Sequence, residues 1–128
     1  MIYIDTSVAL AHLLGETRRP SDDLWLNPLI ASRLLQYELW TRLNARGLAA
    51  THGEDARELL ASVALVELAP PVLARALEPF PAPVRTLDAL HLATLLFVQG
   101  QGPALRLATY DERLAEAAAK LGVAPWED

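Results

Sequence analysis

Short apolar, β-branched runs alternate with helical stretches along the whole chain, and that alternation limits the possible folds more than any other feature. Met1 to Ile4 is an apolar run that ends at Asp5, Thr6 and Ser7 and passes into a helical pattern through Leu10, Leu13 and Leu14. Gly15 to Pro20 breaks that helix, and Ser21 with Asp22 and Asp23 signals a short second one. Leu29 to Ala31 reads as a brief strand. Ser32 is then placed to cap a helix that carries Leu34, Leu35, Glu38, Leu39 and Leu43 and stops at Gly47. The spacing further predicts a helix over 53–63, a strand over 64–68 ended by Pro70 and Pro71, and a helix over 72–77. From Thr86 the segment TLDALHLATLLFVQG is apolar nearly all round, as a helix buried in the middle of a domain would be. A strand over 104–108 and the helix ERLAEAAAKLG complete the pattern. Repeated strand and helix imply an α/β fold with a parallel sheet covered on both faces, and 128 residues suit a single domain over 1–128.

Composition removes several function classes. With 52% hydrophobic and 21% charged residues, a disordered chain is excluded. The absence of cysteine excludes disulfides and thiolate zinc sites, and makes a cytoplasmic location the natural expectation. No apolar run approaches the ~18 to 20 residues that cross a bilayer, so no membrane association is expected. The formal charge is −5, and ten of the 11 basic residues are arginine. An acidic chain that handles nucleic acid must either localise its arginines or recruit cations.

In an open α/β sheet, ligands gather beyond the carboxyl ends of the strands. Asp5 directly follows the first strand and Asp111 the last, while Asp88 lies in the first turn of the apolar helix. Taken singly, Asp5 and Asp111 read as helix N-caps and Asp88 as a complement to the helix dipole. Glu38, four residues before Arg42, reads as half of an exposed helical ion pair. Taken together, acids converging on one sheet edge repel one another unless water, a proton or a metal relieves them. A carboxylate set without His or Cys suits Mg²⁺ or Mn²⁺, as in a phosphodiesterase, and such ions bring the formal −5 closer to neutrality.

Asp5 in YIDTSVAL, Glu38 in LLQYELW, Asp88 in RTLDALHLAT and Asp111 in LATYDERL resemble, in order, the four acidic motifs of PIN domains. The LDALHLAT and TYDERLAEAA segments are similar to those of VapC-like toxins. The resemblance spans almost the whole chain and implies a three-layer α/β/α sandwich with a short, mostly parallel central sheet. It further implies Mg²⁺- or Mn²⁺-dependent cleavage of RNA, a homodimer, and a cognate antitoxin that covers the site, with Asp5, Glu38, Asp88 and Asp111 as the metal-binding and catalytic acids. An antitoxin side chain of basic character would suit that cluster. A segment over 21–60 with Trp25 and Trp40 is a candidate groove for a partner helix, against ordinary packing of either tryptophan.

Neighbouring residues carry weaker signals. Thr6 and Ser7 are candidates for bonding a phosphate, although Ser7 is equally suited to cap the first helix. Thr109 with Glu112 forms a capping-box pattern. His91 reads better as a hydrogen-bonded core histidine than as a general base, and Arg85 is either a phosphate contact or half of a surface ion pair. A phosphoacceptor receiver domain needs adjacent acids after its first strand and a lysine near its last, and a haloacid-dehalogenase phosphatase needs an acid at position 7. Thr6, Ser7 and the lone Lys120 meet neither pattern. The remaining alternatives are a non-catalytic PIN-fold module that binds RNA or protein, and a DNA-directed nuclease with the same metal chemistry.

Overall fold

The computed structural model describes residues 1–127. Five strands, β1 (Ile2–Ile4), β2 (Leu29–Ser32), β3 (Val63–Val66), β4 (Arg106–Ala108) and β5 (Ala124–Pro125), form one sheet in the order β3-β2-β1-β4-β5. Every pairing is parallel. The helices are α1 (Thr6–Leu13), α2 (Leu34–Ala45), α3 (Ala49–Ala61), α4 (Pro70–Ala76), α5 (Thr86–Gly100) and α6 (Glu112–Lys120), with a 3-10 turn over Asp22–Leu26.

Strand alternation divides the core into two layers. Ile2, Ile4, Leu29 and Ala31 pack under Val8, Leu10, Leu35, Leu39 and Leu59, on the side of α1, α2 and α3. Tyr3, Ile30 and Leu107 point the other way, against Leu92, Leu95 and Val98 of α5 and Leu114 and Ala117 of α6. A period of two along each strand therefore feeds both helical layers. The result is the expected three-layer α/β/α sandwich, with a sheet that is parallel throughout.

Three element assignments differ from expectation. The third helix begins at Ala49, four residues before Gly53, which sits inside it rather than opening it. A Cβ at Gly53 would lie 3.1 Å from Cη2 of Trp40, so the glycine lets α3 approach the indole on α2. The fourth strand is only three residues long, and the two-residue β5 had no sequence signal. Ser32, placed as a cap, does accept a hydrogen bond from the Leu34 N–H at 3.1 Å, although it stands one residue before the N-cap position, which Arg33 occupies.

The strand order locates the functional edge. The chain leaves β1 toward β2 on one side and later reaches β4 on the other, so the connections diverge between β1 and β4. Such a switch point opens a crevice beyond the carboxyl ends of the two strands. Ile4 pairs with Ala108 in register, which sets Asp5 level with Thr109 at the mouth of that crevice, and the Asp5 N–H donates to the Ala108 carbonyl at 3.0 Å.

Candidate functional site

A cleft of about 1070 Å³ opens at this edge, and Asp5, Glu38, Asp88 and Asp111 all line it. The four acids expected from the sequence are thus brought to one cavity from four elements, the ends of β1 and β4 and the helices α2 and α5. Each uses one carboxylate oxygen to hold itself in the fold. Oδ2 of Asp5, which is 7% exposed, accepts from Ser7 Oγ at 2.8 Å, from the Ser7 N–H at 3.4 Å and from Thr109 Oγ1 at 2.8 Å. Oε1 of Glu38 accepts from Thr6 Oγ1 at 2.8 Å and from His91 Nε2 at 2.6 Å.

Asp88 Oδ2 accepts from the Arg85 N–H at 3.4 Å. The Arg85 side chain also lies against the Asp88 N–H, but a guanidinium offers no acceptor, so this cap is one-sided. Oδ1 of Asp111 accepts from the Arg113 and Leu114 N–H groups at 3.0 and 3.2 Å, capping α6. In all four residues the second oxygen accepts no hydrogen bond among the described residues. Asp5 and Asp111 are therefore N-caps and cleft acids at once, because a carboxylate has acceptors to spare for both.

Neighbouring hydroxyls are used inside the fold. Ser7 Oγ, besides donating to Asp5, accepts from the Tyr110 N–H at 2.9 Å and so ties the loop after β4 to the start of α1. Thr109 is not the N-cap of α6. Its hydroxyl donates to Asp5 and accepts from the Asp111 N–H at 2.9 Å, and Asp111 takes the capping position because it directly precedes the helix. Thr6, Ser7 and Thr109 thus brace the acids, and Thr6 and Ser7 also line the cleft.

His91 is 2% exposed and occupies a buried chain that sequence reasoning did not connect to the site. The Ser32 N–H donates to Tyr3 Oη at 3.1 Å, Tyr3 Oη meets His91 Nδ1 at 2.8 Å, and His91 Nε2 donates to Glu38. The core-histidine expectation and the Glu38–Arg42 ion pair thus fare differently, since His91 is buried and bonded while Glu38 pairs with it instead of with Arg42. Burial pushes the Glu38 carboxyl up, but the hydrogen bond and charge of His91 and the bond from Thr6 outweigh it and hold it below the usual glutamate value. Burial pulls His91 down, yet Glu38 and the nearby charges of Asp5 and Asp88 leave it raised. Burial keeps the Tyr3 phenol neutral.

Asp88 shows the strain expected of converging acids. Burial raises its pKa first, and the charges of Asp111 and Asp5 raise it further, against the opposing Arg85 N–H and His91. Arg85 forms no ion pair among the described residues and lines the cleft with Arg42, Arg46 and Arg113. The two tryptophans of the candidate groove are occupied within the chain. Trp25 stacks on His12 at 4.4 Å and packs on the core, while Trp40 lies under Arg57 at 5.0 Å.

Oxygen-only donors without thiolate fit a hard divalent cation. No three acid or histidine side chains among the described residues are already close enough together to hold a metal ion. Asp5, Glu38, Asp88 and Asp111 are the residues that would hold such an ion, and it would supply Lewis acidity in the cleft.

Comparison with known proteins agrees with this arrangement. The PIN domain family matches residues 2–120. Ribonuclease VapC46 of Mycobacterium tuberculosis is 35% identical over 127 residues, covering 96% of this chain and 94% of its own. Ribonuclease VapC47 from the same species is 33% identical over 129 residues, with coverages of 95% and 93%. A toxin-antitoxin complex from Klebsiella pneumoniae contains a chain that superposes with a TM-score of 0.62 at 15% identity, over 90% of this chain and 91% of that one, and so shares the fold. With the sheet order, the four acids at one edge and a match over nearly the whole length, the chain belongs to the PIN-domain family, in its VapC-like branch.

Proposed function

We propose that residues 1–128 act as a single metal-dependent endoribonuclease domain, the toxin of a toxin–antitoxin pair, hydrolysing RNA phosphodiester bonds at Asp5, Glu38, Asp88 and Asp111. The observation that carries this reading is the shared pattern of the four carboxylates, each with one oxygen anchored and the other unbonded on the same cleft. The names of the VapC relatives point the same way. Bound Mg²⁺ or Mn²⁺ supplies Lewis acidity toward the scissile phosphate and the attacking water. Asp5 and Asp111, fixed by capping and hydroxyl bonds, each offer an unbonded oxygen to the cleft from the ends of β1 and β4. Glu38 does the same from α2. Asp88 completes the set from the first turn of α5, and one of the four acids accepts a proton from the attacking water.

The test is incubation of an RNA pool and a DNA pool with purified protein in Mg²⁺, Mn²⁺ or EDTA. Metal-dependent cutting of RNA is expected. Absence of cutting with every metal would leave the non-catalytic binding module.

Asp88 also yields a stability prediction of opposite sign to its effect on activity. An acid whose pKa is raised on folding binds protons more tightly in the native state. Stability is therefore lost as pH rises from the unfolded to the folded pKa, and at neutral pH the charged group is a net cost. Asp88→Asn keeps an acceptor for the Arg85 N–H and removes that charge. In EDTA at pH 7.5 its thermal midpoint should rise by on the order of 2 °C, a small gain because the group is partly solvated, while cleavage is lost. A lowered midpoint would argue against the crowding of acids.

Partner surfaces fit the same reading. An apolar cleft of about 820 Å³ lies between α4 and α5, lined by Leu73, Leu77, Phe80 and Leu90, and Leu77 is 90% exposed. A second copy of the chain is the proposed occupant. Leu77→Glu should shift the sedimenting species from dimer to monomer, and an unchanged species would place the dimer contact elsewhere. The cognate antitoxin is proposed to cover the acidic cleft with a basic side chain, so a saturating amount should suppress cleavage.

A further inference from the structure

The placement of the arginines carries an inference that rests on the ribonuclease reading and deepens it. Five of the ten are engaged within the chain. Arg33 pairs with Glu67 and Arg75 with Glu78. Arg18 and Arg57 lie over the rings of Tyr110 and Trp40, and Arg19 donates to the Gly15 and Glu16 carbonyls. Arg42, Arg46, Arg85, Arg106 and Arg113 are exposed, and among the described residues their guanidinium groups make no hydrogen bond, ion pair or ring contact. Four of these five, all except Arg106, line the acidic cleft.

Their positions on the secondary structure are ordered. Arg42 follows Glu38 by one turn of α2, and Arg46 follows by a second turn, so the three share one helix face. Side chains four apart on a helix have Cβ atoms about 5–6 Å apart. That is close to the spacing of successive phosphates in an extended strand. Arg85 precedes α5 and Arg113 opens α6, on the Asp88 and Asp111 side of the same cleft.

The cleft also holds Glu16 and Glu112 besides the four site acids, so six carboxylates face four guanidinium groups. A polyanion would not be drawn to such a surface uniformly. Arginines to either side of an acidic centre hold the phosphates that flank the scissile one, while the centre itself requires a cation. Guanidinium groups with their donors unspent suit this role, because each can bind phosphate through two parallel N–H bonds. We propose that Arg42 and Arg46 on one side of the cleft, and Arg85 and Arg113 on the other, form the track that grips the RNA backbone on both sides of the cleaved bond.

The probe is a fluorescein-labelled, mixed-sequence single-stranded RNA of 20 nucleotides, titrated with the Asp5→Asn protein so that no cleavage intervenes. Arg42→Gln/Arg46→Gln and Arg85→Gln/Arg113→Gln are each added to that background. Arg106→Gln serves as the control, the loss of one such charge outside the cleft, to be compared with each pair per charge removed. Each cleft pair should weaken binding by at least ~5-fold at 0.1 M salt and lower the slope of log K against log salt by about 1.4. The control should bind within about 2-fold of its parent on the same basis. In the otherwise wild-type enzyme the cleft pairs should raise KM and leave kcat within about 3-fold, as for residues that bind ground and transition states alike.

Unchanged binding by both pairs overturns the track. So does an equal loss in the control, which would reduce the effect to net charge. Failure of the ribonuclease reading looks different. The wild-type protein would cut nothing while the pairs still lost affinity, leaving an RNA-binding surface without turnover.

Discussion

Asp5→Asn protein is expected to lose RNA cleavage by roughly 10³-fold while retaining the wild-type fold. The reason lies in the unequal use of the two Asp5 oxygens. Oδ2 accepts from Ser7 and Thr109, and an asparagine carbonyl placed there accepts the same bonds. The amide nitrogen then occupies the place of the unbonded oxygen and presents donors where a cation requires an acceptor. Circular dichroism and a thermal midpoint within about 2 °C of wild type would verify the fold. Wild-type cleavage by the purified variant would remove Asp5 from the mechanism, and with it the four-acid site.

A second large effect is expected at a residue without a place among the acids. His91→Ala removes one donor to Glu38 and the acceptor for the fully buried Tyr3 O–H, which keeps only its bond from the Ser32 N–H, and it opens a cavity beneath α5. Leaving a buried polar group unpartnered costs about 1–3 kcal/mol, and loss of the ring adds to it. The thermal midpoint should drop by on the order of 10 °C. Tyr3→Phe should cost less, since it removes a single hydroxyl and leaves the His91–Glu38 contact in place. A double-mutant cycle between the two should show coupling of about 0.5–3 kcal/mol. Additive effects would mean that the chain from Ser32 to Glu38 does not act as a unit.

The pH at which this loss is largest follows from the two shifts. Glu38, lowered on folding, contributes stability that is complete above its unfolded pKa and disappears as pH falls through the folded value. His91, raised on folding, contributes stability that is complete below its unfolded pKa and disappears as pH rises through the folded value. Both contributions are complete between about pH 4.5 and 6.5, so wild type and His91→Ala should differ most there. A difference that grew steadily toward alkaline pH would contradict the pairing.

Local chemistry made much of this legible in the sequence. Apolar runs ending in polar residues located β1 and the helix after it, and the same logic placed Asp5 and Asp111 beyond strand ends. What escaped depends on contacts between distant segments. Tyr3, Glu38 and His91 lie 88 and 53 residues apart along their two bonds, and no local pattern announces such a chain. Gly53 looked like a helix start because glycine usually interrupts helices, but packing against Trp40 overrides that preference. Thr109 and Glu112 made a plausible capping box, yet Asp111 lay closer to the helix and took the cap. Strand β5 contains Pro125 and only two residues, so no pairing preference could mark it.

The split use of the carboxylates separates the architecture of the cleft from its charge state. Because the oxygens that hold the acids in place are not those left open, withdrawing a cation breaks none of the bonds that brace the strand ends. Metal-bound domains that collapse when stripped must refold before they work again. If cleavage depends on the cation proposed above, chelation would leave a dormant but assembled molecule, and adding the ion back would restore it within the time of diffusion. Supply of a small ion could then switch the protein off and on repeatedly, with no passage through an unfolded and protease-sensitive form.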